Sequence, residues 1–172
     1  MARNVEIKAR LSDPVATAAR AAAIADSGPE LILQDDTFYA CAHGRLKLRR
    51  YADGHGELIA YVRPDTCATR TSDYRIVPVV DPDALHDALE RALGLHGRVV
   101  KARTLYLAGR TRIHLDRVDG LGDFLELEVV LRDGEDERDG MAEAQRLLDA
   151  LQVDVRGLVG PAYVDLLREA AG

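Results

Sequence analysis

The 172-residue sequence contains no tryptophan, two phenylalanines, two cysteines and no long apolar run. A membrane-spanning helix needs roughly 18 or more consecutive apolar residues, and no signal-peptide core follows Met1. We therefore expect a cytoplasmic protein with no membrane partner. Cys41 and Cys67 have no cysteine or histidine at zinc-ligand spacing, which predicts free thiols. The net charge of -6 argues against nucleic acid as a partner.

Glycine-rich phosphate loops are also missing, since neither GxxxxGK nor GxGxxG occurs. A bound phosphate would have to be held by side chains. No Ser-His-Asp or Cys-His arrangement indicates a nucleophilic site. The hydrophobic content of 47% and charged content of 30% are typical of a globular protein, and we expect a single domain over residues 1–172.

A two-residue alternation of apolar and charged side chains is the main positive feature. Residues 124–129 read Phe-Leu-Glu-Leu-Glu-Val, so a strand would place Glu126 and Glu128 on one face and Leu125 and Leu127 on the other. The two glutamate Cα atoms would lie about 7 Å apart, and both carboxylates could reach one cation. For this segment alone, a strand with a solvated acidic face is the alternative.

Similar segments predict the rest of the fold. We expect strands over residues 5–11, 31–42, 45–51, 57–63, 73–80, 98–107, 110–118 and 123–131, and helices over 14–26, 84–93, 137–151 and 161–170. Eight strands joined mostly by short turns predict an α+β fold in which an antiparallel sheet closes into an eight-stranded β-barrel, with the helices packed outside.

One face of these strands is charged. It carries Glu6, Lys8, Arg10, Arg45, Lys47, Arg49, Arg63, Lys101, Arg103, Arg112, Asp116, Glu126 and Glu128. If helices cover the outside, the charges must line the lumen, where they are costly unless a ligand neutralises them. The basic side chains suit a triphosphate, and the carboxylates suit Mg²⁺ or Mn²⁺. A barrel with an apolar interior and a solvated charged exterior is the alternative.

For the other candidate residues, two interpretations remain open. His114 lies between Arg112 and Asp116 on the charged face and is either a proton shuttle or a hydrogen-bonded structural histidine. Tyr39, Tyr61 and Tyr74 could contact a base or sugar, or could simply pack.

These motifs resemble the CYTH superfamily of triphosphate tunnel metalloenzymes, in particular its branch of class IV adenylyl cyclase-like and thiamine triphosphatase-like proteins. The family's opening ExExK motif matches residues 4–8, with Asn4 in place of the first glutamate. The match continues through Arg45-Leu-Lys47-Leu-Arg49, Tyr61-Val-Arg63, Lys101-Ala-Arg103, Arg112-Ile-His114-Leu-Asp116 and Phe124-Leu-Glu126-Leu-Glu128, so it spans nearly the whole chain.

The resemblance implies a charged tunnel that holds a divalent metal, Mg²⁺ or Mn²⁺, and a triphosphate. The implied metal ligands are Glu6, Asp116, Glu126 and Glu128. The implied phosphate ligands are Lys8, Lys47, Arg49, Arg63, Lys101, Arg103 and Arg112. We assign catalytic roles to Lys8, Arg63, Arg112 and His114.

The first expected reaction is conversion of ATP to cyclic AMP and pyrophosphate. Hydrolysis of thiamine triphosphate or inorganic tripolyphosphate is the alternative enzyme activity, and the resemblance also suggests a homodimer. A non-catalytic module that binds nucleotide or polyphosphate is the alternative outside the enzymes.

Overall fold

The computed structural model describes residues 3–62 and 73–172. Arg63, which we predict to bind phosphate, and Cys67 lie outside the described residues. The strands are β1 Arg3–Arg10, β2 Ser27–Tyr39, β3 Arg45–Arg50, β4 Gly56–Val62, β5 Asp73–Val79, β6 Leu95–Ala108, β7 Thr111–Val118 and β8 Gly122–Leu131. The helices are α1 Pro14–Ile24, α2 Pro82–Leu93, α3 Glu137–Leu151 and α4 Tyr163–Ala171, with a 3₁₀ turn at Val155–Gly157. None of the described helices is long and apolar enough to cross a membrane.

Helix α1 begins at the predicted residue 14, and α2 begins at Pro82, two residues before the predicted residue 84. The Asp13 side chain accepts a hydrogen bond from the backbone N of Ala16 at 2.9 Å, and Asp81 does the same for Ala84 at 2.9 Å. Each cap is followed by a proline in the first turn, where the missing N–H costs nothing.

Strand β2 begins earlier than the predicted residue 31. The backbone N of Asp26 donates to Leu107 O at 2.7 Å, and Ser27 lies opposite Leu107. Pairing with the long strand β6 therefore extends β2 back through Gly28-Pro29, a dipeptide that is typical of turns.

All eight strands form one antiparallel sheet in the order β1-β8-β7-β6-β2-β3-β4-β5. Among the described residues no pairing joins β1 to β5, so the predicted closure into a barrel is not observed. Part of the reason is visible at β1, whose Lys8 carbonyl accepts a hydrogen bond from Val159 N at 2.9 Å while Ala9 bridges to Leu158. The chain after α3 thus pairs with the edge of β1. The curled sheet still surrounds a cavity.

The convex face of β1, β7 and β8 is mainly apolar and packs against α1 and α3. Leu125 and Leu127 are fully buried there, in one core with Ala21 of α1 and Leu148 and Leu151 of α3. Burying each leucine side chain stabilises the fold by about 1.5–3 kcal/mol, so this face determines which way the strands turn. The alternating charged residues consequently point to the concave side, which excludes the barrel with an apolar interior.

Helix α4 lies on the concave side, so the prediction that the helices pack outside is wrong for this helix. Phe38, Val99, Val118 and Phe124 share the parity of the charged residues and form a second core with Ala162, Tyr163 and Val164. The charged face therefore becomes apolar at one end, and α4 covers that end.

Candidate active site

The strand register brings the predicted site residues into adjacent rows. In the described sheet, residues of β1, β8 and β7 lie directly opposite one another. One row is Glu6, Glu128 and Arg112, and the next is Lys8, Glu126 and His114.

The β1 and β8 members of these rows line a cavity of about 190 Å³. Its described lining comprises Glu6, Lys8, Asp36, Phe38, Lys47, Arg49, Tyr61, Val99, Lys101, Arg103, Glu126, Glu128, Ala162 and Tyr163. Eight of the predicted site residues are in that list. Asp116, His114 and Arg112 are not, because the first two lie buried behind the lining and Arg112 is largely exposed.

Asp116 is surrounded by basic side chains. Its carboxylate accepts hydrogen bonds from Lys101 Nζ at 2.9 Å and from Arg103 Nε and Nη2, both at 2.7 Å. Although burial opposes ionisation, Lys101 and Arg103 lower the pKa of Asp116 to about 2. Asp116, a predicted metal ligand, is thus an ionised carboxylate that orients two predicted phosphate ligands.

Asp36 of β2 is a site residue that sequence reasoning missed. This buried carboxylate accepts from Lys47 Nζ at 2.6 Å and from Arg49 Nε and Nη2 at 2.7 and 2.8 Å. Burial opposes its ionisation, but Lys47 and Arg49 hold the Asp36 pKa far below its usual range. The signal in the sequence was incomplete, since Gln34, Asp36 and Phe38 share one face of β2 but Asp35 offers a carboxylate on the other face.

The acidic side of the cavity contains a candidate metal group. Ligand atoms of His114, Glu126 and Glu128 all lie within 4.8 Å of one another. His114 Nδ1 is buried and has no hydrogen-bond partner among the described residues. Burial and then the Arg103 charge lower the His114 pKa to about 3, so the imidazole is neutral at pH 7 and in the form that binds metals. These residues fit a divalent cation.

The pKa values of the two glutamates in this group are shifted in opposite directions. Burial raises the pKa of Glu128, and the nearby charge of Glu126 adds to the effect. Burial also disfavours the charged form of Glu126, but Arg103 and Lys8 outweigh it and hold the Glu126 pKa well below its ordinary value. Two converging carboxylates of this kind repel unless a cation lies between them.

Tyr163 of α4 reaches the floor of the cavity. Its hydroxyl donates to Asp116 Oδ2 at 3.1 Å, and the Nζ atoms of Lys8 and Lys101 lie 4.2 and 5.0 Å from its ring centroid. Tyr163 therefore closes the α4 end of the site and contacts residues of three strands. Nothing in the local sequence pattern of residues 161–170 predicts this contact.

The family model of the CYTH domain matches residues 2–157. The chain belongs to the CYTH domain family. Tyr163 and α4 lie beyond the matched residues of this CYTH domain. No protein of curated function matches the sequence.

Solved structures resemble this CYTH domain along its length. The PH1012 protein of Pyrococcus horikoshii OT3 has a TM-score of 0.85 at 19% identity, covering 95% of this chain and 99% of that chain. A candidate adenylate cyclase from Vibrio parahaemolyticus has a TM-score of 0.75 at 20% identity, covering 96% and 98%. A candidate adenylyl cyclase from Hippeastrum, described as having a dominant triphosphatase activity, has a TM-score of 0.65 at 17% identity, covering 96% and 95%. At these identities the likeness shows the fold alone.

Proposed function

We propose that this CYTH domain is a divalent-metal-dependent enzyme that acts on a triphosphate in the cavity. One observation carries the proposal: Glu6, Glu126 and Glu128 line the same small cavity as Lys8, Lys47, Arg49, Lys101 and Arg103. Carboxylates that converge on a cation, beside fixed cations that bind phosphate oxygens, are the two parts that phosphoryl chemistry requires.

Glu126 and Glu128 would hold Mg²⁺ or Mn²⁺, with Glu6 and His114 beside them. When bound, the metal would neutralise charge on the phosphate oxygens. Mg²⁺ takes oxygen ligands almost exclusively, so an imidazole in the group favours Mn²⁺ of the two. Because His114 is neutral at pH 7, a role as a general acid in the free protein is disfavoured.

We favour hydrolysis over cyclisation because hydrolysis makes fewer geometric demands on the site. Cyclisation needs the ribose 3′-hydroxyl aligned at the α-phosphorus, but hydrolysis needs only water at a terminal phosphorus. The triphosphatase activity described for the Hippeastrum relative agrees with this preference.

Identification of products tests the proposal. Purified protein is incubated with tripolyphosphate, thiamine triphosphate or ATP, with Mg²⁺, Mn²⁺ or a chelator. We expect orthophosphate release that requires metal and is fastest with tripolyphosphate. Cyclic AMP with pyrophosphate would instead identify a cyclase. Binding of triphosphate without turnover under any metal condition would overturn the enzyme proposal in favour of a binding module.

A further inference from the structure

Two Lys-x-Arg pairs in the cavity are held by the same arrangement of atoms. In each, an aspartate lies directly opposite the arginine on the neighbouring antiparallel strand, Asp36 opposite Arg49 and Asp116 opposite Arg103. In each, the arginine Nε and Nη2 donate to the two carboxylate oxygens, while the lysine two residues earlier donates from Nζ to Oδ2. We call each set of three residues a clamp.

The two clamps face one cavity and repel each other. Each contains two cations and one aspartate, but Arg103 Nη2 also donates to Glu126 Oε2 at 3.3 Å, so the Asp36 clamp is the more positive of the two within the described contacts. The charge of Lys101 contributes to lowering the Lys47 pKa, and Arg103 acts on Arg49 in the same direction. Two separated cationic groups that converge on one cavity are best neutralised by an anion with two linked charged groups, such as adjacent phosphoryl groups of a linear chain.

We infer that Asp36 is a positioning residue, which holds Lys47 and Arg49 as the second of two phosphate clamps. The inference rests on the proposed function and deepens it. Asp36 does not touch the phosphate itself, because its oxygens are engaged by the two cations it orients.

Removing the Asp36 charge should weaken phosphate binding, although the carboxylate is itself an anion. Burial already lowers the pKa of Lys47 to about 8, and the Asp36 charge is the largest influence opposing that change. Without it, the Lys47 pKa would fall further, so Lys47 would be less protonated at pH 7. Asp36→Asn would therefore gain less than a full positive charge at the site, while Arg49 would keep only one of the two acceptor oxygens of its two-pronged hydrogen bond.

Calorimetric titration in metal-free buffer at pH 7 separates binding from turnover. The probes are tripolyphosphate, pyrophosphate and orthophosphate. Hydrogen bonds to charged groups are worth about 1.5–3 kcal/mol, so we expect Asp36→Asn and Asp116→Asn each to weaken tripolyphosphate binding by about 10- to 100-fold. Wild-type protein should bind pyrophosphate far more tightly than orthophosphate.

Asp35→Asn is the matched control, because Asp35 is on the same strand but on the convex face, where it pairs with Arg98 at 2.7 Å. It should bind tripolyphosphate like the wild type. Arg49→Lys is the second variant: it keeps the charge, loses the two-pronged geometry, and decides the question if Asp36→Asn does not fold. In turnover assays Asp36→Asn should raise KM with little change in kcat, which a purely stabilising role would not do.

The outcomes distinguish a failure of the proposed function from a failure of the positioning role of Asp36. Wild-type protein that binds none of the three phosphates overturns the proposed function and this inference together. Wild-type binding that is unchanged in folded Asp36→Asn and in Arg49→Lys overturns only the positioning role. Orthophosphate that binds as tightly as pyrophosphate overturns the two-clamp site.

Discussion

The Tyr163 hydroxyl donates a hydrogen bond to Asp116 Oδ2 at 3.1 Å, which joins the C-terminal helix to the centre of the charged site. Both groups are buried, with 6% of Tyr163 and 1% of Asp116 exposed. Tyr163→Phe keeps the ring beneath Lys8 and Lys101 but removes the donor. For Tyr163→Phe we expect the free energy of unfolding to fall by about 1–2 kcal/mol. For Tyr163→Ala, which also leaves a cavity, we expect a fall of about 3–5 kcal/mol. Urea unfolding followed by circular dichroism measures both, and a Tyr163→Phe midpoint equal to that of the wild type would contradict the role of the hydroxyl.

Glu126→Gln and Glu128→Gln keep the side-chain shape and remove the charge that a metal needs. Each should lower kcat/KM by about 100-fold or more with the fold intact, and high Mn²⁺ should restore part of the loss. Asp123→Asn is the control on the same strand, because Asp123 pairs with the exposed Arg117 outside the cavity. If both glutamine variants were as active as Asp123→Asn, Glu126 and Glu128 would not be metal ligands.

Lys47 should make triphosphate binding depend on pH. Burial lowers its pKa to about 8, and bound phosphate favours the protonated form. Above pH 8 the free protein must therefore take up a proton to bind, so the dissociation constant should rise by up to about tenfold per pH unit relative to that of Lys47→Arg, which stays protonated. The ligand's own ionisation cancels in this ratio. A ratio that is constant between pH 7 and 9.5 would exclude Lys47 as the titrating group.

Lys47 also makes the stability of the ligand-free protein depend on pH. Stability should rise with pH, whereas triphosphate binding should weaken. The unfolded chain keeps the Lys47 proton up to the ordinary pKa of 10.5, whereas the folded chain loses it above about 8. The unfolded state thus binds more protons in this interval, and the contribution of Lys47 to the free energy of unfolding rises with pH.

Asn4 stands where the family motif has a glutamate. It is buried, and its Oδ1 has no hydrogen-bond partner among the described residues. Asn4 shares the parity of Glu6, so Asn4→Glu would add a carboxylate on the side of the metal group. We expect the metal concentration for half-maximal rate to fall by about tenfold. Asn4→Gln has the length of glutamate without its charge, and equal metal titration curves for the two variants would place position 4 outside the site.

The parity of the strands could be determined from the sequence alone. A strand has a period of two, so the alternation in residues 124–129 assigns Glu126 and Glu128 to one face and Leu125 and Leu127 to the other without knowledge of any neighbour. The buried leucines then require the glutamates to lie on the concave side. The starts of α1 and α2 are equally local, because a capping aspartate and the following proline act within one turn.

Only the tertiary structure decided how the charges pair. Asp36 is ambiguous in the sequence because its neighbour Asp35 is also acidic, and the register with β3 and β6 determines which of the two enters the cavity. Whether Asp116 faces a metal or a Lys-Arg pair depends in the same way on its register with β6. The lack of pairing between β1 and β5 in the described part of the chain, and the position of α4, depend on contacts between residues more than 100 apart, such as Lys8 with Val159. Such contacts result from the fit of distant surfaces, and no local period encodes them.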